Sequence, residues 1–383
     1  MTTAPTIISP PSSDRFYEPV PTPREPGELV RARAVDVRTG PPSRAWQVVH
    51  GSTDTIGRPN AVSCTVLSPR DPWSGPGPRP VLSYGVGVHG LGRDAAPSYL
   101  LRTEQEYELP LVERALARGW AVAVSDGEGL GMRGPHTYGA GRAGGHALLD
   151  ALRAAVMLVP ELTAESPALL WGYSEGGRNA AWAAELQASY APELPLVAVA
   201  AGGVPGDLYE TAKALDGGPF TGLNLAVTIG LASAHDDPDL WSIFTEEGRR
   251  TAAHAATLDV TGLIVEHPQP LSAHTHRHEP WDEPAWRAVL ERERNGRRAP
   301  VVPTYLYHVT DDEIVPVRLA RALALDYRDR GADVTWAEVS APDHLSGAQV
   351  AADAALGWLD DRLAAAGLDA PRTRPSGKGG ARR

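Results

Sequence analysis

The sequence predicts an α/β fold, a mostly parallel sheet covered by helices on both faces. Three observations carry this. Short apolar runs rich in Val, Ala and Leu alternate with longer helical stretches, the pattern of strands buried on both sides. One of those runs, residues 168–173, passes directly into Gly172-Tyr173-Ser174-Glu175-Gly176 and then into an Ala-rich helical pattern. Between about 207 and 298 the strand signal fades and helical patterns take over, and strands resume at 302.

Taken in order, residues 1–44 are rich in Pro, Ser, Thr and Arg and read as an N-terminal arm over the body, partly disordered. Residues 45–50 and 61–67 are rich in β-branched side chains and pair naturally as the first two strands. Residues 80–86 form a third strand that runs into a loop at 87–94. A helix at 109–118 leads to a buried-type strand at 121–126. A Gly-rich loop to residue 145, a helix at 146–157 and the strand at 168–173 follow. The helix at 177–187 and the strand at 196–201 close the first part of the core, 45–206. The second part, 299–366, holds strands at 302–309 and 334–339 and helices at 317–330 and 349–366. Residues 207–298, with Trp241, Phe244, Trp281 and Trp286, read as a helical cap inserted over the C-terminal edge of the sheet. Residues 367–383 are basic and Gly-rich and read as a disordered tail.

A chain of 383 residues can bury a sizeable core. Its formal charge of −11, with no basic stripe outside the last residues, excludes nucleic acid as a partner. The single cysteine, Cys64, allows no internal disulfide. The start has neither a basic n-region nor a long apolar h-region, so it is read as no signal peptide and the protein as cytoplasmic. No run approaches 18 uninterrupted apolar residues, so no membrane span is expected.

Ser174 stands where a strand turns sharply into a helix, the context of a nucleophile elbow. A serine hydroxyl is a poor nucleophile at neutral pH and needs a base, which in turn needs an orienting carboxylate. The loop after the strand at 302–309 reads Thr310-Asp311-Asp312-Glu313, and Asp312 is the candidate acid, with Asp311 and Glu313 as alternatives. His344 lies after the last strand and is the candidate base. The chain order Ser174, Asp312, His344 is the order an α/β-hydrolase fold requires. The oxyanion hole needs two backbone donors. One is Glu175 N–H; the other comes from Val88-His89-Gly90, with His89 N–H the first choice and Gly90 beside it. No cofactor or metal is called for. His274, His276 and His278 lack a second ligand group and read as a solvated loop. Gly127-Glu128-Gly129-Leu130-Gly131 has the wrong spacing for a dinucleotide site.

With these residues in place, the chain resembles the secretory lipase family of fungal lipase A-type enzymes and their actinobacterial relatives. The matching pieces are Ser83-Tyr84 to Ala96-Pro97-Ser98, the stretch from Asp126 to Gly131, Asp150-Ala151-Leu152-Arg153, the elbow, Asp312 to Pro316, and His344. The resemblance implies hydrolysis of carboxylic esters by Ser174, Asp312 and His344 under a helical cap. The chain departs from the family in reading Ala95-Ala96-Pro97-Ser98 where Cys-Ala-Pro-Ser is usual, and in showing no export signal. Together these favour a small or medium ester over bulk lipid. Two other functions use the same residues: acyl transfer or carboxylate elimination by the same triad, and ligand binding without catalysis on the same fold.

Overall fold

The computed structural model describes residues 8–21 and 24–367. Among these residues nine strands form one sheet: β1 (Leu29–Val35), β2 (Ser43–Thr53), β3 (Pro59–Pro69), β4 (Val81–Gly85), β5 (Ala121–Gly127), β6 (Ala168–Tyr173), β7 (Leu196–Gly202), β8 (Thr304–Val309) and β9 (Val334–Val339). Their order is β1-β2-β3-β5-β4-β6-β7-β8-β9. The first three strands and the β3–β5 pair are antiparallel, and the remaining five pairs are parallel.

Among the described residues twelve α-helices accompany the sheet. In chain order they are α1 (Pro97–Leu100), α2 (Leu109–Leu116), α3 (Gly141–Leu158), α4 (Glu175–Tyr190), α5 (Leu208–Leu215), α6 (Gly222–His235), α7 (Pro238–Trp241), α8 (Glu246–Ala255), α9 (Val260–Glu266), α10 (Pro284–Arg292), α11 (Val317–Asp329) and α12 (His344–Ala365). The central strands are apolar throughout because both faces are covered. On β6, Ala168 and Leu170 pack with α3, α4 and α11, whereas Leu169 and Trp171 pack with α2 and α12. That alternation is the period of two of a strand, with a hydrophobic layer on each side. Helices α5 to α10, inserted between β7 and β8, share a separate apolar cluster that includes Leu225, Ile229, Phe244, Leu263, Trp281 and Trp286.

Three boundaries differ from the sequence reading. Residues 29–35 of the supposed arm are an edge strand, and Tyr17 is buried, its hydroxyl bonded to Ser98 Oγ and to the Gln47 amide. The Arg-Ala alternation of β1 offers only small apolar side chains on one face, so its pairing with β2 is what reveals it. Helix α3 starts at Gly141 and runs through Gly144 and Gly145, because Gly145 lets it pack closely on Ala183 and Trp182 of α4. Helix α12 starts at His344, where Asp343 and Ser346 form a reciprocal capping box. The expected tail at 367–383 lies, apart from Gly367, outside the described residues.

Candidate active site

The C-terminal ends of the parallel strands converge at Ser174. Its backbone has φ 58° and ψ −120°, a conformation that L-residues adopt only under constraint. The constraint is visible in its neighbours. A Cβ on Gly176 would lie 1.8 Å from Gly85 O, and one on Gly172 would lie 2.3 Å from Gly176 O. Strand β4, strand β6 and helix α4 therefore meet backbone to backbone, and Ser174 N–H donates to Gly202 O of β7 at 2.9 Å. The serine hydroxyl makes no helix-capping bond and is left free for another partner.

That partner is His344. Its Nε2 lies 2.9 Å from Ser174 Oγ, and its Nδ1 lies 2.6 Å from Asp312 Oδ2. Both the His344 and Asp312 side chains are buried. The other Asp312 oxygen accepts from Ile314 N–H at 3.0 Å and Val315 N–H at 2.7 Å. Burial alone would raise the pKa of this carboxyl. Hydrogen bonds from His308 and His344, and their charges, reverse that and hold it well below the usual carboxylate range. Of the two alternative acids, Asp311 is exposed, and Glu313 accepts from the backbone N–H of His344 at 2.9 Å. Only Asp312 reaches the imidazole.

His308, on β8, was not singled out by the sequence. It is fully buried, and its Nε2 is shared between Val315 O at 2.8 Å and Asp312 Oδ2 at 3.2 Å. A histidine inside an apolar strand looks like any core histidine. Its spacing of four residues from Asp312 becomes a signal only once the loop is known to fold back on the strand.

On the oxyanion side the expected donors are Glu175 with His89 and Gly90. Glu175 opens α4 beside the serine, and its buried carboxylate meets His136 Nε2 at 2.8 Å. Gly87 and Val88 line the cavity next to Ser174, whereas His89 and Gly90 do not. Gly90 instead bridges to Asp259 ahead of α9. The His89 ring is buried against Glu106.

A cavity of about 380 Å³ opens above Ser174 and His344. It runs between the sheet edge and helices α5, α6, α9 and α10, with walls of Leu215, Leu223, Val227, Ile243, Trp281 and Leu290. Its lining is largely apolar, as in a site that takes a hydrophobic ligand.

Other residues quoted for the resemblance are structural here. Asp126 accepts from Ser63 and Ser98, and burial raises its pKa to about 7 against those bonds. Asp150 accepts from Ser52, Tyr190 and Arg153. His274 is buried beside His267 rather than solvated, while His276 and His278 are exposed. Among the described residues no three His, Cys, Asp or Glu side chains could jointly hold a metal ion.

The secretory lipase family profile matches residues 96–369. The chain belongs to the secretory lipase family. A protein of Mycobacterium tuberculosis named "probable inactive lipase" is 31% identical over 95% of this chain and 85% of its own length. Lipase 10 of Candida albicans is 28% identical over 93% of this chain and 82% of its own. Among solved structures, Candida antarctica lipase A in its closed state superposes with a TM-score of 0.85 at 26% identity, covering 96% of this chain and 88% of that one. The fold is accordingly that of an α/β-hydrolase with an inserted helical cap. The expectation of a cytoplasmic protein does not stand. The family is described as secretory, and a relative in Malassezia restricta is named a secreted triacylglycerol lipase, which points outside the cell. No helix among the described residues is long and apolar enough to cross a membrane.

Proposed function

We propose that this secretory lipase family member is a serine carboxylester hydrolase. The observation that carries the reading is the unbroken hydrogen-bonded chain from Ser174 Oγ through His344 to Asp312 at the floor of an apolar cavity. His344 takes the Ser174 proton as Oγ attacks the ester carbonyl, forming the new C–O bond. It then returns that proton to the departing alkoxide as the acyl-enzyme forms. Water, deprotonated by the same imidazole, attacks the acyl carbon, and His344 returns that proton to Ser174 Oγ as the C–Oγ bond breaks and the acid leaves. Asp312 fixes the Nδ1–H tautomer and stabilises the imidazolium. Glu175 N–H and a backbone N–H of the Val88-His89 loop stabilise the charge that develops on the carbonyl oxygen. The largely apolar walls favour an ester with a small or medium acyl chain.

A relative with "inactive" in its name makes the test pointed. The wild-type protein is expected to hydrolyse p-nitrophenyl butyrate and to react at Ser174 with a fluorophosphonate. Ser174→Ala is expected to lose both while keeping its circular dichroism spectrum. Full activity in Ser174→Ala, or a wild type that is neither active nor labelled, would overturn the reading. Product analysis with an added alcohol separates hydrolysis from acyl transfer.

A further inference from the structure

We propose that a second cavity, between the cap and the turn joining β2 to β3, binds a phosphate monoester with an aromatic or apolar body. The cavity holds about 580 Å³, a size that suits a small organic ligand. It lies where the end of α6 and the chain after α10 meet the start of α3 and the middle of α4. It shares no lining residue with the cavity above Ser174, so the inference is independent of the catalytic reading.

The charge of its wall runs against that of the chain, which is −11 overall. Arg15, Arg70, Arg133, Arg142, Arg292 and Arg298 are the arginines whose side chains make no hydrogen bond, ion pair or ring contact among the described residues. Arg142, Arg292 and Arg298 all line this one cavity. The carboxylates around them are already matched. Glu293 Oε1 meets His235 Nε2 at 3.0 Å, and its Oε2 accepts from Gly141 N–H at 2.8 Å and from Arg178 at 3.3 Å. Arg58 holds Asp54 and Asp236, and Arg297 pairs with Glu291. Glu185 Oε1 accepts from Tyr327, Asn295 and Gly296. Three guanidinium forks are thus left without a local carboxylate, and such forks match the oxygens of an anion.

Two buried groups in the same wall also lack partners. Trp182 Nε1 and Thr55 Oγ1 are buried and make no hydrogen bond among the described residues, and both side chains line the cavity. A buried donor left unpaired costs free energy until a partner reaches it. The indole nitrogen sits at the start of α3, where a Cβ on Gly141 would lie 2.0 Å from it, beside Arg142. Glu185 Oε2 is unbonded as well, and burial raises the pKa of that carboxyl, which favours the protonated form that can donate. The unbonded groups are therefore chiefly donors. A phosphate offers three terminal oxygens and up to two negative charges, against two oxygens and one charge on a carboxylate. The remaining lining gives the body of the ester a surface. Trp182 provides one side, and Ile56, 45% exposed on the turn, provides an apolar rim.

Isothermal titration calorimetry with phenyl phosphate at low salt tests this, with thermal melts as a folding check. Phenyl phosphate is expected to bind once per chain and to raise the melting temperature. It should bind roughly tenfold more tightly than inorganic phosphate, which has no apolar body to bury, and more tightly than benzoate, which has one oxygen fewer. Arg142→Gln, and the exposed pair Arg292→Gln with Arg298→Gln, are each expected to weaken binding by roughly 10- to 100-fold. Arg70→Gln, equally unpartnered but elsewhere, should bind as wild type does. So should Val227→Trp, which fills the cavity above Ser174 instead. If Arg142→Gln fails to fold, the exposed pair decides. No binding of millimolar phenyl phosphate, an affinity unmoved in the exposed pair, or binding lost in Val227→Trp would overturn the site. Benzoate or inorganic phosphate binding as tightly as phenyl phosphate would overturn the ligand class.

Discussion

His308 places its Nε2 3.2 Å from Asp312 Oδ2, the same oxygen that receives the His344 N–H. Two imidazoles thus converge on one carboxylate oxygen, while two backbone amides hold the other. The acid is fixed in rotation before the base engages it. His308→Ala should leave Asp312 ionised but less well aimed. A hydrogen bond to a charged group contributes about 1.5–3 kcal/mol, so kcat should fall by roughly 10- to 100-fold with KM preserved. Steady-state kinetics beside a thermal melt check this, and an unaltered kcat would show that His308 serves only packing.

Asp312 should be separable from its acidic neighbours. Asp312→Asn is expected to lower kcat by about 10⁴ through loss of the correct imidazole tautomer. Asp311→Asn, at an exposed position without a bond to His344, should stay within about twofold of wild type, the range of a neutral surface change. Glu313→Gln keeps an acceptor for His344 N–H and should also be mild. A ranking in which Asp311 or Glu313 proves the more damaging would reassign the acid.

Glu108 predicts a pH-dependent stability. It is buried beside the cavity with its pKa raised to about 7, chiefly by desolvation. A carboxyl whose folded pKa lies above its unfolded value, about 4.3, favours folding below that value, and the contribution is lost as pH rises to the folded pKa. Glu108→Gln keeps an acceptor for Gly87 N–H and cannot ionise. Its melting temperature should therefore gain on wild type as pH rises from about 4.5 to about 7.5. A constant difference across that range would refute the assignment.

Gly176 has no room for a side chain. Gly176→Ala would drive a methyl into the Gly85 carbonyl on a neighbouring strand. Overpacking costs about 1–3 kcal/mol and more where backbone blocks relaxation, so urea unfolding should show a loss at the upper end or beyond. Activity should fall with it, since Ser174 is two residues away.

Chain-length preference should follow cavity volume. Val227 faces the cavity from α6. Val227→Trp should lower kcat/KM for an octanoyl ester while sparing an acetyl ester. Equal effects on both would place the acyl chain elsewhere.

Much of the site could be read from the chain because its chemistry is local. Gly172 to Gly176 fix the turn, and Asp312 and His344 each follow a strand that announces itself by β-branched and aromatic residues. The hidden parts depend on partners distant in sequence. β1 has an Arg-Ala pattern that acquires meaning only against β2. His308 acquires a role only when the loop after β8 folds back on it. His89 drew attention for its backbone amide. Its ring bonds Gly87 O on one side and Glu106 on the other, 17 residues on, which no local spacing connects to it.

Cys64 lies fully buried in strand β3, facing the layer that holds α3 and α4. In a family known for export, this chain holds its shape without a covalent cross-link between its parts. Its folding should be indifferent to the thiol–disulfide balance of the compartment where it occurs. Active protein should be recoverable alike from reducing and oxidising surroundings, with reductant leaving both yield and melting temperature unchanged.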